Sequence, residues 1–481
     1  MVLDYNKIPA LQGRILRDFL IPLNPNVSET CLLNVLNAKI AQMVTSKRIK
    51  FKEMDCQNPH TLNYYALNFI SSGGGKDKIV NEIDDYLLKN FKIWFEGENR
   101  VYIRDRTAQI TKEAKELFNN EGRQKAYIDA EKKKIRNIRF ELEQATSEGL
   151  YADCETLHHA DYGCLFVKIS ELGLFLENAT QAQQLFLTDL IKIYDGKASL
   201  KSTKGESQST EIQGIPCNIL AYSDTNKLLQ DKASEYLNRL LDTGLVRRCF
   251  ITYLPDKPLL IHEDYEKALS IQNEAYKQAK ELQEELMSKF WKLKQNSELI
   301  LTSGAYKAYY QYKIENMKTY NKLLSKTDDI LLKEVRNRYW KALKLSVLIA
   351  CIEHPKDTNI YPKDVEMAIY QTELFAKDFE QFNNAKPVTD TEKLFKFLLT
   401  NSGKWVTKQE IRKQRFVNNA SFARWFGEQL EYIREMAEQN GYVLKSEPIN
   451  NNTGTRYKLV ENNLNKELSP EIKPINELMT G

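Results

Sequence analysis

Residues 64–88 constrain this chain most. The run Tyr64-Tyr65-Ala66-Leu67-Asn68-Phe69-Ile70 has the aromatic and aliphatic composition of a buried strand. Ser71-Ser72-Gly73-Gly74-Gly75 can neither continue a strand nor open a stiff helix. From Lys78 the apolar residues fall at Ile79, Val80, Ile83, Leu87 and Leu88, a helical period. Strand, glycine loop with lysine, then helix is an arrangement that binds phosphate. Successive backbone N–H groups point at the anion, and the helix N-terminus adds partial positive charge. Glycines let the main chain approach closely, and Lys76 reaches the outer phosphates. Ser72, Gly73, Gly74, Gly75, Lys76, Asp77 and Lys78 are therefore the expected nucleotide contacts.

The stretch departs twice from the full Gly-x-x-x-x-Gly-Lys-Ser/Thr pattern. Ile70 stands at the first glycine, and Asp77 replaces the hydroxyl that binds Mg²⁺. A second buried strand is expected at Gly163-Cys164-Leu165-Phe166-Val167-Lys168-Ile169, beside the first and ending in Ser170-Glu171. In P-loop ATPases that strand end carries an Asp for the metal and a Glu that polarises the attacking water. Here the Glu is present and the Asp is not. The two departures complement each other, with a carboxylate where the hydroxyl was and a hydroxyl where the carboxylate was. Asp77 and Ser170 are thus the expected Mg²⁺ pair, and Glu171 the expected general base. A bare carboxylate ~4 Å from a phosphate charge is opposed by about 4 kcal/mol at an effective dielectric of ~20, so Asp77 either meets a cation or turns away.

A chain of 481 residues with 42% hydrophobic content can bury several cores. Its 69 basic and 65 acidic residues nearly cancel, so bulk charge names no partner. No apolar run of ~18 residues predicts a membrane span, and the first residues lack a signal-peptide pattern. Seven cysteines without a CxxC pair suggest reduced thiols and a cytoplasmic location. Cys154, His158, His159 and Cys164 follow no zinc spacing.

Residues 1–57 read as a helical N-terminal region capping the core, with helices at 14–23 and 28–44. Short strand-like pieces are expected at 93–95 and 101–103, then one long charged helix over 110–146. Its basic run Lys132-Lys133-Lys134 is a solvated face or a nucleic-acid contact. After a helix at 181–194, residues 195–214 are a polar loop or exposed hairpin with Lys201 and Lys204. A third strand over 215–222 ends in Ser223, Thr225 and Asn226, one of which is expected to sense the γ-phosphate. Residues 227–242 read as helix. Gly244-Leu245-Val246-Arg247-Arg248 leads from a turn into a fourth strand.

The order of these parts resembles the helicase-like P-loop ATPases of phages and mobile elements, a family found fused to or beside primases. Ser71 to Lys76, Ser170-Glu171-Leu172, residues 190–196, Gly214-Ile215-Pro216 and Gly244-Leu245-Val246-Arg247-Arg248 carry the likeness, over about residues 60–380. The last piece is also similar to the arginine-finger segment of hexameric AAA+ helicases. The resemblance implies ATP and Mg²⁺ as cofactors, a hexameric homo-oligomer, and Arg247 or Arg248 reaching a neighbouring subunit's γ-phosphate. It also implies a DNA-contacting hairpin at Lys201 and Lys204, and a helical lid over 261–385 in which Arg336 or Arg338 contacts nucleotide.

Residues 387–460 read as a winged helix, with a capping box at Thr407 and Glu410 and a wing around 450–454. This stretch holds 12 Lys/Arg and 8 Asp/Glu, a net of +4 that equals the whole chain's excess. Arg412, Lys413, Arg415, Arg424, Arg456 and Lys458 are the expected phosphate contacts, although winged helices also bind proteins. Residues 461–481 read as a disordered tail. The expected fold is α/β: a P-loop NTPase core at 58–260 with a mostly parallel sheet, the lid, and the winged helix. The expected function is an ATP-dependent DNA helicase or translocase of phage or mobile-element replication. The alternative is a nucleotide-binding initiator, loader or scaffold that does not unwind.

Overall fold

The computed structural model describes residues 3–53, 58–70, 75–143, 146–177, 181–199, 211–224, 244–255, 260, 264–324, 329–385, 390–414, 422–439, 441–449 and 454–461. They divide into two units, Met1–Ala385 and Lys386–Gly481.

The first unit opens with helical turns over residues 10–23. Ser28 then caps α1 (Glu29–Thr45), its side chain accepting from the Cys31 amide. Every residue from Thr30 to Thr45 is buried, so α1 is a core helix and not part of a cap. Its polar residues disguise this in the sequence, because Asn34, Asn37 and Lys39 are paired internally. Asn34 Nδ2 donates to Asn68 Oδ1 at 3.0 Å, Asn37 Nδ2 to Gln371 Oε1 at 2.8 Å, and Lys39 Nζ to Asp84 Oδ2 at 2.9 Å. β1 (Lys50–Lys52) and β2 (His60–Thr61) follow, then β3 (Tyr65–Ile70), which is buried throughout.

α2 (Lys76–Glu82) continues helically through Leu87. The short strands expected at 93–95 and 101–103 lie instead within one helix, α3 (Lys89–Leu117). Phe91 and Phe95 are buried one turn apart while Ile93 and Val101 face solvent, so the apolar period is helical. The single long helix expected over 110–146 is also broken. α4 (Glu121–Lys132) starts anew at Asn120, whose side chain accepts from the Arg123 amide at 3.1 Å. Residues 133–143 then run without helix, and Leu142 bridges in parallel to Val167.

α5 (Ser147–His159), β4 (Leu165–Ile169), α6 (Leu172–Glu177) and α7 (Gln181–Tyr194) come next. β5 (Lys197–Ser199) and β6 (Glu211–Gln213) form an antiparallel pair. β7 (Cys217–Ser223) and β8 (Cys249–Leu254) complete the central sheet. Its order is β4-β7-β3-β8, all parallel. β4 therefore lies one strand away from β3, not beside it as expected. Fully buried parallel strands read alike in sequence, so their lateral order is not encoded in composition.

The rest of the unit is α8 (Tyr265–Lys292), β9 (Glu298–Leu301), α9 (Ser303–Leu323), α10 (Asp329–Glu353), β10 (Asn359–Ile360) and α11 (Pro362–Ala385). β9 pairs in parallel with both β1 and β10, which joins this helical region to the N-terminal segment. Thr30 Oγ1 also donates to Asp378 Oδ2 of α11 at 2.7 Å.

The second unit has α12 (Asp390–Thr400), β11 (Val406–Thr407), α13 (Lys408–Lys413), α14 (Phe422–Gln439), β12 (Tyr442–Pro448) and β13 (Thr455–Glu461). Thr407 and Glu410 form the capping box. The sheet order is β11-β13-β12, antiparallel, over a core that includes Leu394, Ile411, Phe426, Ile433 and Leu459. Among the described residues no helix is long and apolar enough to cross a membrane.

Candidate functional site

Because the four central strands are parallel, their carboxyl ends share one edge: Ile70, Ile169, Ser223 and Leu254. In open parallel sheets that edge is where ligands bind. Gly75 has φ +78°, a left-handed conformation that L side chains resist, and it caps α2 without a side-chain acceptor. The first-turn amides of α2 are thus left without a side-chain cap at Gly75. Lys76 begins the helix. Its ammonium reaches across the edge to the Glu171 carboxylate, which follows β4. The carboxylate's second oxygen, Oε2, is buried and has no hydrogen-bond partner. The backbone behind Glu171 is held by Ser223, whose Oγ accepts from the Gly173 amide at 3.0 Å. Lys76 and Glu171 therefore meet, with Ser223 holding the turn that carries Glu171, although the three come from different strand ends.

The other expected residues divide three ways. Ser170 is half-buried next to Glu171, and Asp77 is exposed in the first turn of α2. Lys78 points away from the edge, its Nζ donating to Leu23 O at 2.6 Å and lying 3.6 Å from Glu82. Ser72, Gly73, Gly74, Lys201, Lys204, Arg415, Thr225 and Asn226 lie outside the described residues, as does the helix expected at 227–242.

Arg247 and Arg248 stand at the opposite edge of the sheet, just before β8. Gly244 allows this placement: at φ +97° it carries no Cβ, and one built there would lie 2.9 Å from Arg247 Nε and 3.0 Å from Arg248 Nη1. Arg248 is buried, with Nη1 donating to Gly244 O at 2.9 Å and Nη2 paired with Asp195. Arg247 is exposed. Arg338 is buried too, donating to Glu334 at 2.6 Å and pairing with Glu373 at 3.1 Å, which occupies it inside the helical region. Arg336 stands 5.8 Å from the centre of the Tyr320 ring. In the second unit Arg412, Lys413 and Arg424 are exposed, while Arg456 pairs with Glu447 and lies 4.9 Å over the Trp405 ring. Lys458 is 5.8 Å from that same ring.

Sequence reasoning missed a buried ion cluster behind α2. Lys39 is fully buried between Asp84 and Glu141, with Lys92 3.8 Å from Asp84 and Lys168 3.8 Å from Glu141. Burial pushes the Asp84 carboxyl up, against the pull of Lys39. Its signal in the sequence was a lysine in the middle of an otherwise core-like helix.

Among the described residues no group of three His, Cys, Asp or Glu is placed to hold a metal. Mg²⁺ does not require one, since it binds through one or two carboxylates plus phosphates and keeps several waters. A single carboxylate, Asp77, and a hydroxyl, Ser170, meet that modest count. Compared with known proteins, the chain matches no family model and no curated protein.

Proposed function

We propose that the first unit is a Mg²⁺-dependent ATPase of the P-loop kind, acting on DNA as a ring-forming helicase or translocase of phage or mobile-element replication in the cytoplasm. The observation that carries this reading is the Lys76–Glu171 contact at the carboxyl edge, made across the intervening strand β7. A cation on the helix N-terminus and a carboxylate facing it are the two charges phosphoryl transfer needs, one for the phosphates and one for the water. ATP, when bound, supplies the phosphoanhydride, and Mg²⁺ the charge neutralisation. In this reading Gly75 and Lys76 hold the phosphates, Asp77 and Ser170 hold the metal, and Glu171 takes the water's proton. Ser223 keeps the Glu171 turn in place. Arg247, exposed and unlike the buried Arg248, is the arginine offered to a neighbouring subunit.

Among its described residues the second unit has three helices and a three-stranded antiparallel sheet ending in a hairpin, which fits a winged helix. Exposed Arg412 and Lys413 close its second helix and are its phosphate contacts.

The test is DNA-stimulated ATP hydrolysis by the full chain and by Lys76→Ala and Glu171→Gln. Lys76→Ala should lose nucleotide binding, and Glu171→Gln should bind ATP but lose turnover by at least 100-fold. Equal turnover in all three proteins would refute the assignment. A second reading, a nucleotide-binding initiator or loader, is favoured by the missing strand-end Asp at Ser170. It predicts ATP binding without strand displacement by the purified protein.

A further inference from the structure

The opposite, amino-terminal edge of the central sheet carries a cavity of which the proposed ATPase uses Arg247 alone. Its volume is about 350 Å³, within the range of small-ligand sites. The length of β3, six residues at ~3.3 Å each, separates it from Lys76 by roughly 20 Å.

Its lining is unusual for a structural void. Arg247, Arg248 and Lys313 supply three cations, against the two carboxylates Glu53 and Asp195. Tyr339 and Trp340 of α10 are also in the lining, and Lys313 Nζ lies 5.1 Å over the Tyr339 ring. Arg248 is 5% exposed, yet its Nε is buried and makes no hydrogen bond.

These groups match one ligand chemistry. Cations beside an open mouth take a phosphate. An aromatic ring in the lining, Tyr339 or Trp340, takes a base by stacking. A carboxylate, Glu53, accepts from an exocyclic amine or a ribose hydroxyl. We infer that this cavity is a site for a nucleotide unit, its phosphate on Lys313 and its base against Tyr339 or Trp340. The unit is either a free nucleoside monophosphate or one residue of a single strand. This goes beyond the proposed ATPase, and the site is separate from the one at Lys76.

The experiment uses the full-length Lys76→Ala chain, so that the carboxyl-edge site lacks its phosphate-holding cation. AMP and the dinucleotide pTpT are titrated by calorimetry into this protein and into versions that also carry Lys313→Glu or Tyr339→Ala. Saturable binding is expected for at least one probe, weakened 10-fold or more by Lys313→Glu and by Tyr339→Ala. Binding of AMP assigns a free nucleotide, and binding of pTpT alone assigns a strand residue. No saturable binding of either probe, or binding unmoved by both cavity substitutions, overturns the inference. Either result is independent of ATP turnover, which is read in the chain with Lys76 intact.

Discussion

Lys344 lies on α10 beneath that cavity, and replacing it with methionine should stabilise the protein in a pH-dependent way. Lys344 is 3% exposed, with Nζ 3.5 Å from the centre of the Tyr194 ring and 3.4 Å from Tyr194 O. Burial pushes its pKa down to about 7 from 10.5, with Asp195 opposing and Arg248 adding to the drop. The folded-state value lies below the unfolded one, so between pH 7 and 10.5 the unfolded chain binds the extra proton. Stability therefore rises with pH across that window. The cost to the folded state is complete below pH 7 and gone above 10.5. At 1.36 kcal/mol per pH unit it totals roughly 5 kcal/mol, of which roughly 4 remains at pH 7 and about 1 at pH 9.5. Lys344→Met removes the proton site, so its stabilisation should be roughly 3 kcal/mol larger at pH 7 than at pH 9.5. Groups that titrate alike in both proteins cancel in that difference. All seven cysteines lie between Cys31 and Cys351, inside the first unit. Pulsed thiol alkylation along a urea series, read by mass, reports on that unit alone. A Lys344→Met gain equal at the two pH values, or a loss at pH 7, would refute the argument.

Three further outcomes are expected. Glu334→Ala leaves the buried Lys341 without its anion and Arg338 with Glu373 and Glu380 alone, and should cost about 3 kcal/mol in the same alkylation assay. Burial works to raise the Glu334 carboxyl, but Lys341 and Arg338 overcome it and hold it at about 2. The intact pair's contribution is therefore present above about pH 4.5 and lost as pH falls towards 2. Gly75→Ala places a Cβ in open space at φ +78°, so its cost is backbone strain alone, about 1–2 kcal/mol by urea unfolding. On the proposed function it also weakens ATP binding, read by equilibrium dialysis. Arg412→Ala with Lys413→Ala should lower the slope of log affinity against log salt for duplex DNA by about 1.8 if both neutralise phosphates. An unchanged slope removes them from the interface.

The helices and strands that run past one unambiguous period were legible in the sequence. The buried run at 65–70 and the Thr407–Glu410 capping box could be read residue by residue. What misled was polarity inside a core. α1 carries Asn34, Asn37, Lys39 and Gln42, which look like a solvent face until Asn68, Gln371, Asp84 and the Phe140 carbonyl are seen opposite them. Partners 34 to 334 residues away leave no local trace. The 93–103 stretch failed for the converse reason. Ile93 and Val101 are apolar yet exposed, so short apolar pieces imitated strands within a helix. Of the candidate site, Lys76 and Glu171 could be named from sequence, but their contact depended on β7 lying between their strands.

That contact rests on more than the two loops that carry it. α2 must present Lys76 at a fixed height, and α2 is tied down by segments far away in the chain. Lys78 donates to Leu23 O at 2.6 Å, and Glu82 accepts from Asn24 Nδ2 at 2.8 Å. Two residues further on, Asp84 meets the fully buried Lys39 of α1. α1 is in turn fixed to β3 through Asn34 and Asn68, and Asn68 Oδ1 also accepts from Thr252 Oγ1 of β8 at 2.7 Å. On the other side, Glu171 is held by Ser223 through the Gly173 amide. The N-terminal residues 20–45 therefore act as the frame of the carboxyl edge. Their buried polar pairs fix direction where apolar packing alone fixes only proximity. Asn34→Leu tests this. In either case stability falls, because Asn68, Phe250 O and the Tyr64 hydroxyl lose Asn34 as a partner. If the pair only fills space, turnover of the protein that remains folded is unchanged; if it aligns α2 with the sheet, that turnover should fall several-fold.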